Sequence, residues 1–263
     1  MSDQHLDLPG ARIAFSVSGS GAPVTIVAHG LTSSRADAAA EGFLAWPLNG
    51  LIGTIVRFDA RGHGASTGSP DAESYVWSRL SDDLIALADA VSPAAPVDVI
   101  GASMGAATAL WAALRRPERL HRLVLAIPPT AWVTGVPSAE SHRAGAALVE
   151  RSGAATWKRA AAIEPSPEIL TSGGWAWTAA PAVADELLPA VFRGAAGSDL
   201  PTEAELASVS HETLLLPWTT DPGHPVSTAM RLAELLPNAT LETAETADEV
   251  RGWDARVVEF LGR

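Results

Sequence analysis

Ser103 stands at the centre of Gly101-Ala102-Ser103-Met104-Gly105, which fits the pattern G-x-S-x-G. In that pattern a serine sits on a sharp turn from strand to helix, its hydroxyl exposed for attack on a carbonyl carbon. The spacing has a steric reason. The backbone at the serine is strained, and residues two before and two after it must let strand and helix pass closely, which glycine allows. The flanks agree with the pattern. Val97-Asp98-Val99-Ile100 reads as a short buried strand, and residues 104–115 are rich in Ala and Leu with no proline before Pro117, predicting a helix.

Strands are predicted at 24–28, 54–58, 122–127, 213–218 and 239–243, with a weaker edge strand at 11–18. Helices are predicted at 36–44, 80–91, 228–236 and 249–261. Alternating strands and helices joined by short turns imply an α/β fold, a mostly parallel sheet with helices on both faces. The strand signal is lost over 128–210. There, helical stretches at 144–151, 156–163 and 182–193 are interrupted by Pro165, Pro167, Gly173-Gly174 and Pro181. The expected organisation is a core of 1–127 and 211–263 with a helical cap of 128–210 inserted over the strand ends. Of the cap's tryptophans, Trp132, Trp175 and Trp177 either wall an apolar substrate pocket or pack the cap itself.

Composition narrows the classes. A net charge of −12 over 263 residues argues against nucleic acid or an anionic membrane as partner. With no cysteine, disulfides and thiolate metal sites are excluded. The polar, acidic start lacks a secretory signal, and no apolar run is long enough to span a bilayer. The expectation is a soluble, cytoplasmic protein; oligomeric state leaves no trace in the sequence.

The order of these parts carries a resemblance. His29-Gly30 follows an early strand, then come Asp59-Ala60-Arg61-Gly62-His63-Gly64-Ala65-Ser66, the Ser103 turn, a helical insertion and Asp221 after a late strand. Over nearly its whole length the chain resembles the α/β-hydrolase fold family. The resemblance implies Ser103 as nucleophile, the backbone N–H groups of Leu31 and Met104 as an oxyanion hole, and Asp221 as the acid of a triad. Each such donor, aimed where negative charge develops, is worth about 3 kcal/mol. No metal or organic cofactor is implied. His29 and His63 read as structural members of their turns.

The chain departs from the family at the general base, which the family places after the last strand. Residues 243–253 contain no histidine, and of the seven at 5, 29, 63, 121, 142, 211 and 224 only His224 follows Asp221. Without a base a serine hydroxyl is a poor nucleophile. Asp221-Pro222-Gly223-His224 carries a type II turn signature, which folds the fourth residue back toward the first and lets Asp221 orient His224. Other candidates are His142 or His211, or Glu245, Asp248 or Glu249 acting through water. The expected activity is a serine-dependent hydrolase or acyl transferase acting on a small, apolar ester, thioester or lactone. The alternatives are a degenerate small-molecule binder or a non-hydrolytic enzyme such as a lyase.

Overall fold

The computed structural model describes residues 3–175 and 180–263, and its central strands coincide with short aliphatic runs bounded by glycine, proline or polar residues. They are β1 (Gln4–Leu8), β2 (Ala11–Gly19), β3 (Val24–Ala28), β4 (Thr54–Phe58), β5 (Val97–Ala102), β6 (Leu120–Ala126), β7 (Glu212–Leu216) and β8 (Ala239–Leu241). All eight join one sheet in the order β1-β2-β4-β3-β5-β6-β7-β8. β1 with β2 and β2 with β4 are antiparallel; every other pair is parallel. β3 and β5 are buried along their full length, as strands covered on both faces must be.

The helices are α1 (Arg35–Glu41), α2 (Trp77–Val91), α3 (Met104–Arg115), α4 (Gly135–Ser152), α5 (Ala154–Ala161), α6 (Glu168–Ser172), α7 (Leu188–Ala196), α8 (Glu203–Leu206), α9 (Val226–Leu235) and α10 (Ala247–Leu261). Successive strand residues point to opposite faces of the sheet. Ile26, Val99 and Leu123 therefore pack with Leu84 and Leu110 of α2 and α3, while Val27, Ile100 and Val124 pack with Trp253, Val257 and Phe260 of α10. The segment between β6 and β7 is helical. α4 and α7 share a smaller core of their own, in which Ala146 and Val149 meet Leu188, Val191 and Phe192.

Three expectations are corrected. The N-terminus forms β1, so β2 is not an edge strand; β1 is short and exposed, with only Leu6 and Leu8 half-buried against the core. The helix expected at 182–193 is α7, which starts at Leu188 because Pro189 suits a first helical turn. The strand expected at 213–218 stops at Leu216, before Pro217, which has no N–H to donate to the ladder.

Candidate active site

Ser103 is the single residue between β5 and α3, and its backbone has φ 51° and ψ −112°. A residue with a β-carbon rarely adopts a positive φ, and such strain persists only where the surroundings impose it. Here they do. A β-carbon on Gly101 would lie 2.4 Å from the Gly105 carbonyl, and one on Gly105 would lie 2.3 Å from the Ala28 carbonyl. Both glycines are required because strand and helix backbones touch. The Ser103 N–H donates to the Ala126 carbonyl at the end of β6, which fixes the turn to the neighbouring strand.

At the end of β7 the chain turns through Asp221-Pro222-Gly223-His224, with the His224 N–H donating to the Asp221 carbonyl at 3.2 Å. The turn is not type II. Gly223 lacks the positive φ that type requires at its third position. The turn nonetheless folds His224 back onto Asp221. His224 Nε2 lies 2.8 Å from Ser103 Oγ, and its Nδ1 lies 2.7 Å from Asp221 Oδ2. Asp221 is buried and also accepts from the Gly223 N–H through Oδ1 and from the Trp218 indole N–H through Oδ2, both at 2.9 Å. Burial alone would raise the Asp221 carboxyl. The hydrogen bond and charge of His224, with the Trp218 and Gly223 bonds, outweigh it and hold Asp221 below its ordinary range. A hydroxyl, an imidazole and a buried carboxylate in series can pass the hydroxyl proton to the ring as oxygen attacks.

A loop from the end of β3 supplies the opposite wall. The His29 ring fixes it, with Nδ1–H donating to the Gly30 carbonyl at 2.7 Å and Nε2 accepting from the Ala60 N–H at 2.9 Å. Burial lowers the His29 pKa, which keeps the ring neutral and able to accept. The following turn is built round Asp59, which accepts from the Arg35 and Ala65 N–H groups and pairs with the Arg35 guanidinium. Arg61 anchors this turn to α2 by two bonds to buried Asp83, at 2.9 and 2.7 Å. The 59–66 motif is therefore scaffold, holding the Leu31 loop in place. Among the described residues, neither the Leu31 nor the Met104 N–H has a backbone hydrogen-bond partner, and both residues line one cavity with Ser103 and His224.

That cavity measures about 340 Å³. Its walls include Leu31, Leu44, Trp46, Phe58, Trp77 and Ile127, with Gly135, Ser138, Ala139 and His142 of α4 on the far side. The tryptophans expected here are elsewhere. Trp132 does not line the cavity; its indole N–H donates to the Pro201 carbonyl, tying it to the α8 side. Nor does Trp175, which packs against Phe43 with the Arg251 guanidinium 4.7 Å from its ring centre. Trp177 lies outside the described residues. The missed wall residues are Trp46, in the loop before β4, and Trp77, the first residue of α2, neither part of a motif.

Among the described residues, none of the other candidates for a base hydrogen-bonds to Ser103. His211 donates to the Pro117 carbonyl, beyond the far end of α3. Glu249 caps α10 by accepting from the Glu245 and Thr246 N–H groups, and Glu245 and Asp248 are exposed. His142 lines the cavity but stacks on Phe192.

A model of the alpha/beta hydrolase family matches residues 25–260, which takes in every strand from the second residue of β3 onward and the whole site. The chain belongs to the alpha/beta hydrolase family. Among curated relatives, it is 28% identical over 205 residues to 3-oxoadipate enol-lactonase 2 of Acinetobacter baylyi, spanning 73% of this chain and 71% of that one. Among solved structures, an enol-lactonase from Burkholderia xenovorans superposes with a TM-score of 0.80 at 18% identity, covering 99% of this chain and 100% of the other. An esterase from Thermogutta terrifontis superposes at 0.77 and 20% identity, covering 98% of each chain. At such identities these structures speak for the hydrolase fold. Among the described residues, no helix is long and apolar enough to cross a membrane.

Proposed function

We propose that the chain is a serine hydrolase of small carboxylic esters or lactones in which His224, displaced from the usual late position, is the general base. One observation carries the reading: Ser103 Oγ, the His224 ring and the Asp221 carboxylate form a continuous hydrogen-bonded series at 2.8 and 2.7 Å. In this reading Ser103 Oγ attacks the substrate carbonyl carbon while its proton passes to His224 Nε2. The Nδ1–H bond to Asp221 fixes the tautomer and stabilises the imidazolium. The Leu31 and Met104 N–H groups receive the tetrahedral oxyanion. His224 then protonates the departing alkoxide, and water, deprotonated by the same ring, releases the acid and restores Ser103.

The helical segment 128–210 serves as a cap, with α4 closing the cavity opposite Ser103. Relatives named as enol-lactonase and esterase support a carboxylic ester or lactone as substrate class. Turnover of short 4-nitrophenyl esters and small lactones, followed with wild type and Ser103→Ala, tests the proposal. Wild-type turnover that Ser103→Ala lowers by about 10⁴-fold or more is expected. Wild type no faster than buffer on the whole panel would leave a binder or a non-hydrolytic enzyme in its place.

A further inference from the structure

Two arginines line the cavity, and they differ in one respect. Arg35 is neutralised, lying 3.1 Å from Asp59 on one side and 3.1 Å from Asp3 on the other. Arg57, on β4, has no carboxylate within ion-pair distance among the described residues. Its guanidinium donates to the Trp46 carbonyl and, at 3.4 Å, to Ser18 Oγ. A guanidinium has five N–H donors, so three remain without a partner among the described residues. The nearest influence is the field of Asp254, whose Oδ1 is already taken by the Leu48 N–H at 2.8 Å.

A partly buried charge without a counter-ion is costly, and burial accordingly depresses the Arg57 pKa. Arginine nevertheless stays charged at neutral pH. None of the described cavity-lining residues is Asp or Glu, in a chain whose net charge is −12. Arg57 is thus the lining charge that no carboxylate among the described residues meets in an ion pair. The cavity's Arg57 end is built rather than accidental. Trp46 and Leu48 hold left-handed φ values of 46° and 53°, and the Trp46 carbonyl accepts from the guanidinium. The Trp46 ring is fixed by stacking on Trp253. Leu44, Trp46 and Val27 supply an apolar wall beside the charge.

Register places this end at a distance from the nucleophile. Arg57 pairs with Val27, and Val27 with Ile100, three residues before Ser103. Two strand spacings across and three residues along put the Arg57 and Ser103 α-carbons on the order of 10–15 Å apart.

We propose that Arg57 is an anion-binding subsite and that the substrate is an ester or lactone carrying a carboxylate at the end remote from its reactive carbonyl. A carboxylate accepts two parallel bonds from a guanidinium fork, which uses the donors the protein leaves over. The apolar wall covers the methylenes between the two groups. The substrate-class part of this inference rests on the hydrolase reading above; the anion site does not.

The test compares mono-4-nitrophenyl glutarate with 4-nitrophenyl butyrate in wild type, Arg57→Met and Arg57→Lys. The expected result is a kcat/KM for the anionic ester that falls about tenfold or more in Arg57→Met, through KM, with the neutral ester changed less than about threefold. Arg57→Lys should recover part of the loss, because it keeps the charge without the fork. Equal changes for both esters in Arg57→Met would overturn the subsite. Calorimetric titration of glutarate into wild type and Arg57→Met separates this from the hydrolase reading, since it needs no turnover. Glutarate binding to wild type that is at least tenfold weaker in Arg57→Met upholds the anion site even if no ester is hydrolysed, and no binding to wild type overturns it. Should Arg57→Met fail to fold, the comparison passes to Arg57→Lys and to competitive inhibition of wild type by glutarate against its neutral dimethyl ester; equal inhibition by the two would overturn the proposal.

Discussion

The Ser103 turn and the Asp221–His224 turn meet across 2.8 Å, yet they obey different constraints. The first is specified by backbone sterics. Gly101 and Gly105 are in contact with other main chain and leave no room for a β-carbon, and the serine between them holds a positive φ. The second is specified only by reach. An imidazole must bring one nitrogen to the serine and the other to a carboxylate, and any backbone position from which a ring spans that gap will serve. Here the ring comes from three residues after the acid instead of from beyond β8, where Thr246 caps α10. In the proposed reading the nucleophile's position is set by backbone packing, and the base's by the reach of its ring.

Substitutions that separate these constraints sharpen the contrast. Asp221→Asn keeps the turn but sets an amide N–H against the His224 ring, favouring the wrong tautomer. We expect kcat to fall about 10⁴-fold, with a loss of about 1 kcal/mol or more as the buried Trp218 N–H loses its acceptor, measured by ester turnover and urea unfolding. Gly105→Ala should act on the fold instead, because its methyl would lie 2.3 Å from a main-chain oxygen of β3. A destabilisation of about 2–3 kcal/mol or more by urea unfolding is the expected outcome.

The histidines that hold the scaffold differ from the one in the turn, and pH reads them out. His63 is buried, and burial, aided by the neighbouring His29, lowers its imidazole from 6.5 to about 3. Between those values the unfolded chain binds a proton that the native chain refuses. Stability is therefore fully present above about pH 6.5 and declines as pH falls toward 3, by up to about 1.4 kcal/mol per unit. His63→Leu should flatten the slope of unfolding free energy between pH 6 and 4.5, measured by urea titration at each pH.

Smaller effects test how the acid is held. Trp218→Phe removes the indole bond to Asp221 Oδ2 and keeps the ring packed against Trp253. A loss of about tenfold in kcat, with KM unchanged, is expected. Gly223→Ala is the counterpart of Gly105→Ala. Its methyl would meet nothing closer than Asp221 Oδ1 at 3.3 Å, and no positive φ must be held. Stability should change by less than about 0.5 kcal/mol and turnover by only a few-fold.

The same contrast explains what was legible in the sequence. The Ser103 turn and the buried central strands were readable because glycine spacing and aliphatic runs report local requirements. The pairing of Asp221 with His224 was readable as a short turn, although the turn type was not, since Gly223 does not use the freedom that glycine offers. β1 was missed because a five-residue edge strand offers only two apolar residues, Leu6 and Leu8, among polar and acidic neighbours. The cavity walls were illegible for another reason. Trp46 in the loop before β4, Arg57 on β4 and Trp77 at the start of α2 come together only in the folded chain, whereas Trp132 in the cap turns its indole to Pro201.

The central claim is that His224 activates Ser103. Fluorophosphonate labelling at pH 7.5, timed for wild type, Ser103→Ala and His224→Ala, tests it most directly, because the probe reports the nucleophile without needing the natural substrate. Rapid labelling of wild type, none of Ser103→Ala, and labelling of His224→Ala slowed by about 10³-fold or more is the expected pattern. His224→Ala labelling as fast as wild type would contradict the claim and return the search for the base to the other side chains of the cavity.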